Sequence, residues 1–126
     1  MTTGPYSATV RGLFADLEHA GDFEGATLAR IDDQGVRIQL AAGHENGLLR
    51  TLRFRAWGCP HLLAACEAFC AEYEGRPASD LGDFTVTEIL RNLSIPVEKT
   101  GRILVLEDAV RSLGRSICDG SVPQVS

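Results

Sequence analysis

The 126-residue chain lacks an excess of basic residues, because 17 Asp and Glu outnumber 12 Lys and Arg and the net charge is −5. A nucleic-acid surface needs clustered positive charge to neutralise phosphates, so we do not expect DNA or RNA as a ligand. The sequence also contains no apolar run near the ~18 residues that a membrane-spanning helix requires. Neither nucleic acid nor a membrane is therefore expected as a partner.

We do not expect a secretory signal either, since residues 1–12 show no basic stretch followed by an apolar core. We therefore expect a cytoplasmic protein, in a compartment that keeps thiols reduced. Disulfides are then not expected between the four cysteines, and their spacing lacks the paired CxxC pattern of a structural zinc site. These cysteines are Cys59, Cys66, Cys70 and Cys118.

The sequence shows none of the common catalytic sets. It has no phosphate-cradling glycine loop, no Ser-His-Asp arrangement and no carboxylate pair placed for acid–base chemistry. We therefore expect no classical enzymatic site and look instead for residues that bind.

Hydrophobic periodicity predicts one helix followed by three strands. Apolar residues at helical spacing indicate the helix over 6–18. Strand-like segments follow at 26–31, 36–40 and 48–57, with a turn predicted over 32–35. Short connections between the strands favour an antiparallel meander.

The third predicted strand alternates between two faces. Strict alternation places Leu48, Arg50 and Leu52 on one face and Leu49 on the opposite face.

Beyond Cys59 the hydrophobic period becomes helical. The pattern predicts a helix ended by Gly75, a shorter helix capped by Thr85 or Thr87, and a last helix that begins near Arg102. Helices packed on one face of a three-stranded antiparallel sheet make an α+β fold.

The length predicts a single domain over 1–126, with a flexible tail at 121–126.

Several segments occur in an order that a known family shares. Residues 54–59 form a strand that leads through Gly and Cys into a helix rich in small residues, which continues to 76. The order and spacing resemble the U-type iron–sulfur cluster assembly scaffold family, the IscU/NifU N-terminal-like proteins. Further segments that resemble the family are 87–90, 93–99 and 106–110.

The resemblance implies a ligand set of three Cys and one Asp, which holds a [2Fe–2S] cluster or a zinc ion in this family. In this chain, Asp32 stands where the first Cys belongs and Gln34 stands at the Asp position. Cys59 occupies the second Cys position, whereas residues 100–102 contain no Cys for the third. The chain is therefore degenerate in its ligand cysteines.

The remaining donors predict a weak metal site. Asp32, Cys59 and His61 could bind zinc or ferrous iron if their side chains converge, with solvent as the fourth ligand. We therefore expect an iron–sulfur cluster or zinc to be weakly held or absent, with Cys59 as its cofactor-binding residue. Each residue also has a structural interpretation: Cys59 as a small packing residue, Asp32 in turn chemistry, and His61 as an exposed first-turn residue.

Other reactive side chains have simpler interpretations. Cys66 and Cys70, four residues apart on an apolar helix face, are expected to pack in the core, although that spacing also suits a metal pair. Cys118 is expected to be incidental. His19 and His44 are expected to be exposed to solvent.

The favoured hypothesis is a binding role in iron–sulfur cluster biogenesis, with Cys59 as the retained thiol. The resemblance implies a cysteine desulfurase or another assembly protein as a partner, and a homodimer is compatible with it. One alternative is a sulfur acceptor or zinc-thiolate sulfurtransferase-like protein that uses Cys59. Another is a degenerate interaction module without a metal.

Overall fold

The computed structural model describes residues 17–21 and 23–120. The helix predicted over 6–18 lies outside the described residues, except for Leu17 and Glu18, and Glu18 lies in a turn. The tail predicted at 121–126 also lies outside them.

Three antiparallel strands form one sheet in the order β1-β2-β3, which confirms the predicted meander. Two-residue turns join the strands. Both central residues of each turn have positive φ, which identifies the turns as type I′. These central pairs are Gln34-Gly35 and Asn46-Gly47. The strands are β1 (Thr27–Asp33), β2 (Val36–Glu45) and β3 (Leu48–Trp57).

The first hairpin turn is shorter than predicted. Asp32 and Asp33 still belong to β1 and pair with Arg37 and Val36 of β2. Asp33 caps the turn, because its Oδ1 accepts the Gln34 N–H at 2.8 Å.

A β-bulge changes which β3 side chains face the core. Thr51 pairs with Gly43 and Leu49 pairs with His44, so Arg50 has no partner on β2. The extra residue turns Leu49 inward, where it is fully buried. The predicted faces of Leu49 and Arg50 are therefore wrong, because strict alternation assumes an uninterrupted ladder.

Helices cover the inner face of the sheet, which confirms the predicted α+β fold. Helix α1 packs against β3, whereas α3 packs against β1 and β2. The α-helices are α1 (Pro60–Tyr73), α2 (Thr87–Asn92) and α3 (Thr100–Gly120), and two 3-10 segments cover Ala78–Asp83 and Val97–Lys99.

The N-cap of α2 differs from the prediction. Val86 takes this position instead of Thr85 or Thr87, and no side chain caps the helix. The Val86 N–H donates instead to Glu107 Oε1 on α3 at 3.0 Å. A tertiary contact therefore replaces the local cap that the sequence suggested.

The core lies between the sheet and the helices. Its large, fully buried side chains come from both layers and include Phe54, Phe69, Leu81 and Leu106. Truncation of such a residue to Ala costs about 3 kcal/mol or more, so these contacts hold the layers together. In the described part of the chain, no helix is long and apolar enough to cross a membrane.

Candidate functional site

Cys59 lies at the junction between β3 and α1. It is the N-cap of the helix, and its carbonyl accepts the N–H groups of Leu62 and Leu63 at 3.0 and 3.2 Å. Its side chain makes no capping hydrogen bond and is partly buried. The backbone thus holds Cys59 in place without using its thiol.

Gly58 allows a close approach of three elements beside Cys59. A Cβ atom at this position would lie 2.7 Å from Leu62 Cδ2 and 3.2 Å from Val36 Cγ1. Real Cβ atoms essentially never lie within 3.0 Å of another heavy atom, so a larger residue at this position would force the Leu62 side chain to shift. Because Gly58 has no side chain, β2 and α1 can pack closely together next to the thiol.

The segments in which the resemblance places ligand positions lie close together at this end of the sheet. Val36, which follows the first hairpin turn, contacts the junction at Gly58. Gln34, in that turn, lies near the start of α3, with its Oε1 3.9 Å from the Cβ position of Gly101. The hairpin turn, the start of α1 and the start of α3 are therefore neighbours in space.

Asp32 is engaged in an ion pair. Its Oδ2 lies 3.2 Å from both Nε and an Nη atom of Arg37, and the Arg37 guanidinium lies 5.8 Å from the centre of the Trp57 ring. The Asp32 side chain is 61% exposed. A metal would have to compete with Arg37 for this carboxylate.

His61 is buried, not exposed as the structural interpretation of the sequence suggested. Only 2% of the residue is accessible. Burial lowers the pKa of the imidazole, and the nearby Lys99 ammonium lowers it further, whereas Glu98 acts in the opposite direction. The neutral ring that results is the form in which histidine binds metals.

The structure does not bring the three predicted donors into one group. Within residues 17–21 and 23–120, no three His, Cys, Asp or Glu side chains are arranged to hold a metal ion. A [2Fe–2S] cluster usually needs four thiolate or related ligands, and Cys59 supplies one. This donor set does not fit a cluster held by one chain, and ligation by Cys59, Asp32 and His61 stays a prediction.

Cys66 and Cys70 belong to the core. Both are completely buried. Burial raises the pKa of each thiol far above its usual value, and the adjacent Glu67 carboxylate contributes in the same direction. Protonated, buried thiols are poor metal ligands, which favours the packing interpretation. Cys118, by contrast, is exposed.

His19 forms a partly buried ionic contact that sequence reasoning missed. His44 is exposed as predicted, but the prediction for His19 is wrong. The Nδ1 atom of His19 lies 2.5 Å from Glu67 Oε2, and its Nε2 lies 3.3 Å from Glu74 Oε1. The sequence feature that could have indicated this contact is Glu67, a carboxylate on the otherwise apolar face of α1.

The network continues to the edge of β3. Glu74 Oε2 accepts the Leu52 N–H at 2.9 Å and a guanidinium N–H of Arg53 at 3.0 Å. Burial tends to raise the pKa of Glu74, but these donors and His19 together lower it. Burial likewise tends to lower the pKa of His19, yet the Glu67 and Glu74 carboxylates raise it overall.

Backbone hydrogen bonds fasten the same segment to β3. The Phe54 N–H donates to the His19 carbonyl at 2.9 Å, and the Gly21 N–H donates to the Phe54 carbonyl at 2.6 Å. The ionic network and these bonds together fix residues 19–21 along the strand that leads to Cys59.

Comparison with characterised proteins reveals distant relatives, although no family model matches the chain. Iron sulfur cluster assembly protein 1, mitochondrial, from Kluyveromyces lactis is 26% identical over 77 residues, which cover 61% of this chain and 43% of the relative. The Eremothecium gossypii protein of the same name is also 26% identical, with 61% and 50% covered. The chain thus spans half or less of these two proteins.

A longer match exists with iron sulfur cluster assembly protein 1 from Trachipleistophora hominis. It is 24% identical over 113 residues, which cover 85% of this chain and 82% of the relative.

Solved structures share the fold over most of the chain. The N-terminal part of a NifU-like protein from Brucella abortus has a TM-score of 0.71 at 14% identity and covers 90% of this chain and 94% of that one. A SUF-system scaffold protein from Fervidobacterium islandicum has a TM-score of 0.68 at 12% identity, with 85% and 94% covered. These findings confirm the resemblance to U-type scaffolds: the chain has the IscU/NifU N-terminal-like fold.

Proposed function

We propose that the protein is a divergent, scaffold-like binding component of iron–sulfur cluster biogenesis, with Cys59 as its retained ligand-position thiol. The observation that carries the proposal is the meeting of three segments at one end of the sheet. The Cβ position of Gly58, beside Cys59, lies 3.2 Å from Val36 Cγ1, and that of Gly101 lies 3.9 Å from Gln34 Oε1. These are the segments in which the related family places its ligands.

Because the donor set is incomplete, a cluster bound by this protein needs ligands from elsewhere. One thiolate in a chain cannot hold a cluster alone, so the remaining ligands come from an assembly partner or from a second copy of the chain. Asp32 and His61 are the accessory donors in this proposal. Asp32 must first leave Arg37, whereas His61 is neutral but buried.

A cysteine desulfurase or another assembly protein is the proposed partner, and a cytoplasmic location and a non-enzymatic role belong to the same proposal. The support for the partner is the naming of the relatives as iron–sulfur cluster assembly proteins. The exposed Trp57 ring, on the strand that leads to Cys59, supplies an apolar contact for such a partner.

Anaerobic reconstitution with ferrous iron and sulfide tests cluster carriage. Iron and acid-labile sulfide are counted in the wild type, in Cys59→Ala and in the matched control Cys118→Ala, first alone and then with a desulfurase present. We expect iron and sulfide that Cys59→Ala loses and Cys118→Ala retains. Absence of both from the wild type under both conditions would reject cluster carriage and favour an interaction module without a metal.

A sulfur acceptor is the second candidate, because the fold leaves the Cys59 thiol out of the helix cap while Cys66 and Cys70 are buried. In this reaction, the Cys59 thiolate attacks the terminal sulfur of a desulfurase persulfide, forming a new S–S bond as the desulfurase thiolate leaves. Mass spectrometry after incubation with desulfurase and cysteine should show one added sulfur on Cys59. An unmodified Cys59 peptide would count against this candidate.

A further inference from the structure

The face of the sheet that points away from the helices is rich in arginine. Arg30, Gln39 and Arg55 pair in register across the three strands, so their side chains form one row. The residues that precede them in the chain, among them Ile38 and Phe54, belong to the core, so the row faces the other way. Within 28–32, 37–41 and 53–57, this outer face carries four arginines and one aspartate: Arg30, Arg37, Arg53, Arg55 and Asp32.

Hydrogen bonds and ion pairs hold several of these guanidinium groups in place. Arg37 and Arg53 each pair with one carboxylate, at 3.2 and 3.0 Å. Arg30 donates instead to Gln39 Oε1 at 2.6 Å, and this amide carries no charge. In the described part of the chain, the exposed Arg30 therefore has an orienting contact but no acidic partner.

Exposed apolar side chains flank the arginines at opposite edges of the outer face. Leu28 on β1 is 50% exposed, and Trp57 at the end of β3 is 53% exposed. Trp57 pairs in register with Arg37, whose guanidinium lies 5.8 Å from the centre of its ring. A solvated surface normally mixes charges of both signs, whereas tryptophan and arginine are enriched among the residues that dominate protein interfaces. The composition of the outer face therefore favours an interface.

We propose that the outer face of the sheet binds an acidic segment of a partner protein. Charge complementarity identifies this occupant, because a chain with a net charge of −5 concentrates arginine on this one face. Guanidinium groups bind carboxylates through paired N–H donors, and the exposed Leu28 and Trp57 accept apolar side chains of the same segment. The inference deepens the partner contact proposed at Trp57 and rests on that part of the proposed function, but it requires no bound cluster.

Fluorescence anisotropy at low salt tests the proposal with a labelled Gly-Ser peptide that carries four glutamates and one leucine, beside the same peptide with four glutamines. The site variant carries Arg30→Gln and Arg37→Gln. Its control carries Arg91→Gln and Arg102→Gln, which remove the same charge at exposed positions on α2 and α3. We expect about fivefold weaker binding for the site variant and little change for the control. The assay contains no iron, so its result is separate from that of cluster reconstitution.

A second variant tests the apolar edge of the outer face. Leu28→Ser should weaken binding of the glutamate peptide about threefold, whereas Leu104→Ser, at a position on α3 that is 44% exposed, should change it little. No binding by the wild type, equal losses in the two double variants, or equal binding of the glutamate and glutamine peptides would overturn the proposal. Equally tight binding of a single-stranded oligonucleotide, or a dimer in sedimentation that the site variant loses, would assign the face to another occupant and overturn it too.

Discussion

The two halves of α1 place histidine in opposite environments. Near its start, His61 is buried, and its pKa is lowered by burial and by Lys99. Along its second half, Glu67 and Glu74 hold His19, and its pKa is raised because the two carboxylates outweigh burial. The difference shows that a closed ionic network stabilises residues 19–21, whereas the donors near Cys59 are not gathered by the fold.

Restoring the ligands of the related family should produce the largest change. The triple variant Asp32→Cys, Gln34→Asp and Gly101→Cys would give three Cys and one Asp together with Cys59. A Cβ atom at Gly101 meets only Gln34 Oε1, at 3.9 Å, so the new side chain fits. Reconstitution should then yield stoichiometric iron and sulfide.

The same triple variant with Cys59→Ala is the control and should bind much less iron. Equal iron in both proteins, or none in either, would show that these segments do not form a ligand site. That outcome would contradict the inference that the donors near Cys59 are only incomplete, not misplaced.

Loss of the Glu67 charge should strongly destabilise the His19 network. Glu67→Gln leaves His19 without its principal carboxylate, and Glu67 is 3% exposed while the His19 side chain is 13% exposed. Unpairing a buried ion pair costs about 3 kcal/mol, which urea unfolding should detect. The control Glu72→Gln breaks an exposed pair with Arg76 and should cost less than about 1 kcal/mol. Similar losses in both variants would contradict a stabilising role for the network.

The smallest expected effect is a difference in pH dependence between the two histidines. Since the folded pKa of His19 is raised above 6.5, its stabilisation is full below 6.5 and is lost as pH rises through the folded pKa. The free-energy cost of His19→Gln should therefore decrease from about pH 6 to about pH 8.

His61 should show the opposite trend. Its folded pKa is lowered, so its contribution to stability is full above 6.5 and is lost as pH falls through the folded pKa. The cost of His61→Gln should therefore increase over the same range. Urea unfolding at several pH values measures both trends, and trends of the same sign would refute the contrast between the two environments.

In the described residues, local patterns were sufficient to predict the three strands and the three α-helices, but not the two 3-10 segments. The alternating apolar residues of β2 and the Asn46-Gly47 turn follow from backbone geometry within a few residues. The bulge at Arg50 could not be predicted in this way, because the extra residue is defined only by pairing with β2.

The candidate site was predictable in part. The position of Cys59 between a strand and a helix followed from the change of period at that residue. The ion pair of Asp32 with Arg37 and the burial of His61 did not follow, since each depends on side chains packed from neighbouring elements.

By itself, the sequence determined the order of strands and helices, because hydrophobic period and turn residues act over short distances along the chain. Only the tertiary structure decided that His19 would meet Glu67, a residue 48 positions away. It also decided that Gln34 and Gly101 would be neighbours. Such contacts arise when the sheet and helices pack together, so no local pattern contains them.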